Sequence, residues 1–207
     1  MSSPTQTAGI ILAAGASVRF GQTKQLIRLG NKYLVEWVLD VALNSRLQTV
    51  VLVLGHEQET ILRALGSKVQ HPGLKVAINP GYRDGQATSL KTGLQSIRHD
   101  FGSVMFLLGD QPMIKTDIID HMLDQFRQSE NDLCVPVYNK IRGNPTIFRR
   151  PLYDELMQVS GDIGARNIIR SNSDRTLFLE IDDPLCFFDI DTPQDLNYLL
   201  THLPKLI

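Results

Sequence analysis

Ala8-Gly9-Ile10-Ile11-Leu12-Ala13-Ala14-Gly15-Ala16-Ser17-Val18-Arg19-Phe20-Gly21-Gln22-Thr23-Lys24 is a short apolar run that dissolves into small residues and then meets two cations. The run at 8–12 is continuous rather than alternating, the pattern of a strand buried on both faces. Similar runs recur at 50–54, 74–78, 104–108 and 133–137. The first four end in turn or acidic residues: Ala13-Ala14-Gly15, Gly55, Asn79-Pro80-Gly81 and Gly109-Asp110.

Between the runs, apolar residues fall at helical spacing: Leu34, Val38, Val41 and Ala42; Ile61, Leu62 and Leu65; Leu90, Leu94 and Ile97; Ile118, Ile119, Met122 and Phe126. Strand–helix alternation of this kind predicts a three-layer α/β domain with a mainly parallel central sheet. Thr192-Pro193 reads as an N-cap and first turn, opening a last helix with Leu196, Leu199 and Leu200 on its apolar side. Ligands of such sheets bind beyond the carboxyl ends of the strands, where these glycines and aspartates fall.

No linker or repeat divides the 207 residues, so one domain over 1–207 is expected, with 1–7 as a frayed tail and 138–183 as a less regular, substrate-side subregion. The formal net charge of −1 argues against a nucleic-acid-coating surface. Neither a signal peptide nor an apolar run near the roughly 20 residues of a membrane span is visible, so a cytoplasmic protein without a membrane partner is expected. Cys134 and Cys186 lie far apart in apolar surroundings and read as buried free thiols. The five histidines show no metal-ligand spacing.

Three motifs carry chemistry. The small-residue loop after 8–12 lets a backbone approach a ligand closely, and its N–H groups can cradle phosphate oxygens. Arg19 can fork across two such oxygens and Lys24 can serve as a mobile point charge. Neither GxxxxGKS/T nor GxGxxG occurs, and a solvated turn has the same composition. In Leu108-Gly109-Asp110-Gln111-Pro112-Met113, the acid ends an apolar strand and is either a Mg²⁺ ligand or a turn residue. In Phe188-Asp189-Ile190-Asp191-Thr192-Pro193, Asp189 and Asp191 share a face by period two, ahead of a helix N-terminus that they can cap or beside which they can hold a metal.

The run Leu12-Ala13-Ala14-Gly15, Ser17, Arg19, Gly21, Lys24 resembles the signature of nucleotidyltransferases that include molybdenum cofactor guanylyl- and cytidylyltransferases and sugar-phosphate nucleotidyltransferases. Four more segments resemble the same families in the same order: Asn79-Pro80 with Gly85 and Ser89; Gly109-Asp110-Gln111-Pro112; Arg142-Gly143-Asn144-Pro145; and Gly161-Asp162-Ile163-Gly164-Ala165-Arg166. The likeness runs from about residue 8 to 200, and Gly-Asp-Gln-Pro resembles the cytidylyl branch in particular.

The resemblance implies a Rossmann-like nucleotidyltransferase fold. It implies that Leu12, Ala13, Ala14 and Gly15, with Asn79, Gly85 and Ser89, hold the nucleotide. Arg19 and Lys24 would act on the triphosphate and the leaving pyrophosphate. Asp110 and Asp191 would bind Mg²⁺, with Asp189 the alternative to Asp191. Arg142, Gly143, Asn144 and Asp162 would meet the acceptor; Asn144 stands where the family carries a histidine and cannot titrate near neutrality. The implied substrates are CTP and molybdopterin, a phosphorylated pterin, with a molybdoenzyme as client. Guanylyl or sugar-phosphate transfer on the same fold, and a non-catalytic cofactor-delivery protein, are the competing readings.

Overall fold

The structure, a computed structural model, describes residues 6–16, 20–162 and 164–202. In chain order its strands and α-helices are β1 (Thr7–Leu12), the hairpin β2 (Arg28–Leu29) and β3 (Lys32–Tyr33), α1 (Leu34–Leu43), β4 (Val50–Leu54), α2 (Gln58–Leu65), β5 (Leu74–Ile78) and α3 (Gln86–Gln95). β6 (Ser103–Leu108), α4 (Thr116–Gln128), β7 (Leu133–Tyr138), β8 (Ile141–Arg142), β9 (Thr146–Arg149), α5 (Tyr153–Leu156), α6 (Arg166–Ser171), β10 (Thr176–Glu180) and α7 (Pro193–His202) follow. The main sheet runs β10-β7-β9-β6-β1-β4-β5, with β8 beside β7. β1 pairs parallel to β4 and β6, β4 to β5, and β7 to β10; β9 runs antiparallel between β6 and β7.

The period of two along each strand sorts the core into two layers. Ile11, Leu52, Leu54, Met105 and Leu107 face α1, α2 and α4, which contribute Val35, Val38, Ile61, Leu65, Ile119, Met122 and Phe126. Their neighbours Ile10, Val51, Val53, Val104 and Phe106 face the opposite layer, with Leu90 and Leu94 of α3 and Ile168 and Ile169 of α6. Both faces of the central strands β1, β4 and β6 are therefore buried, as the continuous runs foretell. A third, smaller cluster joins Ile27, Leu29, Leu34 and Met113 to Ile190 and Leu199, fastening the C-terminal segment to the β2–β3 hairpin.

Gly93 seats α3 against the sheet where no larger side chain would fit. A Cβ there would lie 2.4 Å from Ile10 Cγ2 and 2.9 Å from Val53 Cγ2. The close seat fixes where the N-terminus of α3 meets the strand ends.

Two expectations are corrected. The run at 74–78 is an edge strand, not one buried on both faces: Lys75, Val76 and Ile78 are exposed. The frayed tail was expected through residue 7, but Thr7 is buried as the first residue of β1 and shares a 2.6 Å hydrogen bond with Ser103; residues 1–5 lie outside the described residues. Cys134 and Cys186 are free and buried, and burial pushes both thiols up to about 12. Among the described residues, no helix is long and apolar enough to cross a membrane.

Candidate active site

β1 is the strand at which the sheet order reverses: the chain passes from it to β4 and β5 on one side and returns to β6 on the other. A crevice opens at such a switch point, outside the carboxyl ends of the strands. Here it is a cleft of about 340 Å³, lined by 12–15, Lys24, Gln25, Tyr82, Arg83, Gly85, Gln86, Ser89, 108–110 and Asp162. The strand ends draw together because Gly109 N–H donates to Leu12 O at 3.0 Å, where an added Cβ would sit 3.0 Å from Ala13 Cβ.

Lys24 is 8 % exposed, at the start of a 3-10 turn after the small-residue loop. Its Nζ lies 2.8 Å from Asp110 Oδ2 and 2.8 Å from Asp191 Oδ1. A nearly buried ammonium needs such partners, because desolvation otherwise penalises the charge. Asp110 is placed by the turn after β6, and Asp191 by the segment leading into α7. Ile190, fully buried, donates its N–H to Asp110 O at 3.0 Å and lays that segment against the end of β6. The segment is held in turn by Asp195 Oδ2, which accepts from Asp191 N (3.0 Å) and Thr192 N (2.7 Å), while Thr192 Oγ1 accepts from Asp195 N (3.3 Å). Thr192 is thus the N-cap that the sequence suggests, in a reciprocal cap with an aspartate at the third helical position.

Asp189 is arranged differently. It accepts from Gln111 Nε2 at 2.8 Å. Burial around its carboxyl and the nearby charge of Asp110 raise its pKa above the ordinary value, against the Gln111 hydrogen bond. Of the two alternatives, Asp191 is the one that hydrogen-bonds Lys24, while Asp189 is held by Gln111 near the charge of Asp110.

Among the described residues, the ammonium of Lys24 thus faces two carboxylates at the strand ends. Asp110 Oδ1 is also buried with no hydrogen-bond partner among the described residues. These hard oxygen donors suit Mg²⁺, which usually takes one or two carboxylates and completes its shell with phosphates and water. Among the described residues no group of three or more His, Cys, Asp or Glu could hold a metal. Arg19, the other cation of the loop, lies outside the described residues.

Comparison with known proteins identifies the family. The family model of the MobA-like NTP transferase domain matches residues 9–176. The chain belongs to that family. It is 28% identical to the bifunctional protein GlmU of Caldanaerobacter subterraneus subsp. tengcongensis, over 70% of this chain and 30% of that one. It is 29% identical to a protein of Thermococcus sibiricus named "Probable molybdenum cofactor guanylyltransferase", over 62% of this chain and 60% of that one. The chain thus spans less than two thirds of the length of either relative. Among solved structures, the Rv0371c homolog from Mycobacterium sp. strain JC1 superposes with a TM-score of 0.84 at 26% identity, covering 98% of this chain and 99% of that one.

In this MobA-like domain the other motif residues divide into lining and scaffolding. Gly85 lines the cleft at φ +101°, and an added Cβ would meet the Gly161 carbonyl carbon at 2.6 Å; only glycine fits both demands. Asp162 Oδ1 accepts from Gln86 N (3.1 Å) and Gly161 O from Ala87 N (3.0 Å), so this loop satisfies the first N–H groups of α3. Asn79 is 2 % exposed and does not line the cleft. Its Nδ2 donates to Thr88 Oγ1 and Ser89 Oγ, and its Oδ1 accepts from Gly81 N. Asn144 borders a smaller cavity of about 80 Å³ that shares Leu12, Gln86 and Leu108 with the main cleft. Arg142 stands apart from both cavities, its guanidinium 4.8 Å from the centre of the Phe178 ring. Gly143 packs on Phe187, whose ring a Cβ would overlap at 1.8 Å.

Sequence reasoning did not single out Gln25, Tyr82 or Arg83, which line the same cleft. Gln25 directly follows the signature lysine and Arg83 falls between Asn79-Pro80 and Gly85, but neither occupies a signature position. Tyr82 is turned inward by its packing on His56, ring centroids 5.8 Å apart, which no local pattern announces.

Proposed function

We propose that the chain transfers CMP from CTP to the molybdopterin form of molybdenum cofactor, with release of pyrophosphate. The observation that carries nucleotidyl transfer is that Lys24 and Asp110 line the switch-point cleft beside the small-residue loop, with Lys24 also paired to Asp191. An acceptor phosphate oxygen forms the new bond to the α-phosphorus of the NTP. The bond from that phosphorus to the bridging oxygen of the β-phosphate breaks, and its electron pair leaves with pyrophosphate. A phosphate monoester is largely ionised at neutral pH, so the attack needs little help from a base.

The protein's tasks are then positioning and charge neutralisation. The 12–15 loop would hold the phosphates, Lys24 and Arg19 would offset the charge gathering on the leaving group, and Gly85 with Ser89 would border the nucleoside. Asp110 and Asp191 would hold Mg²⁺, which when bound aligns and neutralises phosphate oxygens. Asn144, at the adjoining cavity, and Asp162, in the wall of the cleft, would meet the acceptor, with Arg142 and Gly143 supporting that side. A cytoplasmic site of action, with a molybdoenzyme as client, belongs to the same reading. Gly109-Asp110-Gln111-Pro112 supports CTP; the relative named as a guanylyltransferase favours GTP as the second reading.

Pyrophosphate release with each NTP in Mg²⁺, with and without molybdopterin, tests the proposal. Release with CTP that requires the pterin is the expected result. Release with GTP moves the reading to guanylyl transfer, and a requirement for a sugar phosphate replaces the acceptor. Tight pterin binding without turnover would leave a delivery protein in place of an enzyme.

A further inference from the structure

Gln25 is 6 % exposed, follows Lys24 directly and borders the cleft. Its Nε2 lies 2.8 Å from Ala13 O and 3.0 Å from Gly15 O. Both partners are carbonyl oxygens, so the nitrogen, not the oxygen, of the amide must face them, and both its N–H donors are used. Its Oε1 is left buried with no partner among the described residues. Buried acceptors are seldom abandoned in this way. The fold accepts the penalty in order to keep two loop carbonyls tied to one side chain.

The tie has a geometric consequence. Across a trans peptide the N–H points opposite to the preceding C=O. Holding Ala13 O and Gly15 O against Gln25 therefore turns the N–H groups of Ala14 and Ala16 away from it. Ala14 O is itself pinned elsewhere, accepting from His56 N at 3.1 Å. Alternate carbonyls of the loop are thus anchored to scaffold groups on two sides. Carbonyl oxygens repel a phosphate, whereas freed N–H groups attract it. We propose that Gln25 is a positioning residue that withdraws the carbonyls of Ala13 and Gly15, so that the backbone N–H groups of Ala14 and Ala16 are presented to the polyphosphate of the nucleotide. This rests on the reading of the 12–15 loop as the phosphate site.

The test is calorimetric binding of inorganic tripolyphosphate to the full chain without divalent metal, alongside steady-state KM and kcat for the NTP. Wild type, Gln25→Leu, Gln25→Glu and Lys24→Met would be compared. Gln25→Leu keeps bulk and removes both donors. It should weaken tripolyphosphate by about tenfold and raise KM by a similar factor with a smaller change in kcat, since two neutral hydrogen bonds are lost. Gln25→Glu should bind poorly at pH 8 and recover relative to wild type on acidification, because only a protonated carboxyl can donate to a loop carbonyl. Unchanged binding in Gln25→Leu, with loss in Lys24→Met, would overturn the role of Gln25 and leave the phosphate site standing. Unchanged binding in both would overturn the phosphate site, and this role with it. Should Gln25→Leu fail to fold, the absence of acid recovery in Gln25→Glu would overturn the proposal.

Discussion

The ammonium of Lys24 sits 2.8 Å from a carboxylate oxygen of Asp110 and 2.8 Å from one of Asp191, residues 86 and 167 positions further along the chain. The contact closes the site, because it joins the small-residue loop after β1, the turn after β6 and the segment before α7. It also means that one cation already stands between the two acids proposed to hold another. Divalent metal and Lys24 would compete for these oxygens until phosphates arrive to take the ammonium.

Replacing Lys24 by methionine keeps the aliphatic stem and removes the charge. Mn²⁺ binding to the nucleotide-free protein, followed by electron paramagnetic resonance of the free ion, should tighten by about ten- to hundredfold, the scale of one close charge pair in a partly screened site. Turnover should fall by roughly 10²–10³, the loss seen when one preorganised donor is removed. Weaker Mn²⁺ binding would show that Lys24 assists the metal rather than standing in for it.

Asp110→Asn changes one oxygen to an amide and leaves the shape intact. The variant should need more Mg²⁺ for half-maximal turnover, with the far-ultraviolet circular dichroism of wild type. Superimposable Mg²⁺ titrations would remove Asp110 from the metal site. Chelation of divalent ions should abolish turnover in wild type while the melting temperature with no nucleotide present stays nearly unchanged, because the core does not depend on the metal.

Gly93→Ala weighs two opposed effects on α3. Alanine gains about 1 kcal/mol of helix propensity over glycine. Its methyl, however, would lie 2.4 Å from Ile10 Cγ2 and 2.9 Å from Val53 Cγ2, and overpacking a tight core costs about 1–3 kcal/mol. Crowding by two side chains at once should win, lowering stability by about 1 kcal/mol in urea denaturation. A more stable variant would show that α3 can shift away from β1 without loss.

Asp40 provides a pH test on the α1 side. Burial raises its carboxyl pKa, but hydrogen bonds and charge from Lys32 and Lys68 outweigh it and hold the value below 3.8. A depressed folded pKa contributes stability that is present above the unfolded value and lost as pH falls through the folded one. Asp40→Asn should therefore be less stable than wild type at pH 7, with the gap closing as the pH drops below about 3.8. A pH-independent gap would assign the effect to packing instead.

Much of this protein was legible in the linear chain, for physical reasons that can be named. The runs around Ile10, Leu52 and Phe106 are apolar at every position because the sheet is covered on both faces, and that pattern is local. Gly85 is legible because its φ of +101° and the nearby Gly161 backbone leave room for no other residue. Thr192 is legible because a helix N-terminus must find acceptors within a few residues. The placement of β5 at an edge was not, since an apolar run does not say which of its faces will find a neighbour.

Only tertiary structure decided that Asp191 rather than Asp189 meets Lys24. Both acids have the same spacing rule, and the choice follows from the buried side chain of Ile190 and its N–H bond to Asp110 O. The same holds for Gln25, whose partners are backbone carbonyls that no side-chain motif records, and for Asn79, whose amide is spent on Thr88 and Ser89. Sequence determines which residues can bear charge, bend or be buried. Which of them come within 3 Å of one another depends on strand order and crossover, and these are properties of the assembled sheet.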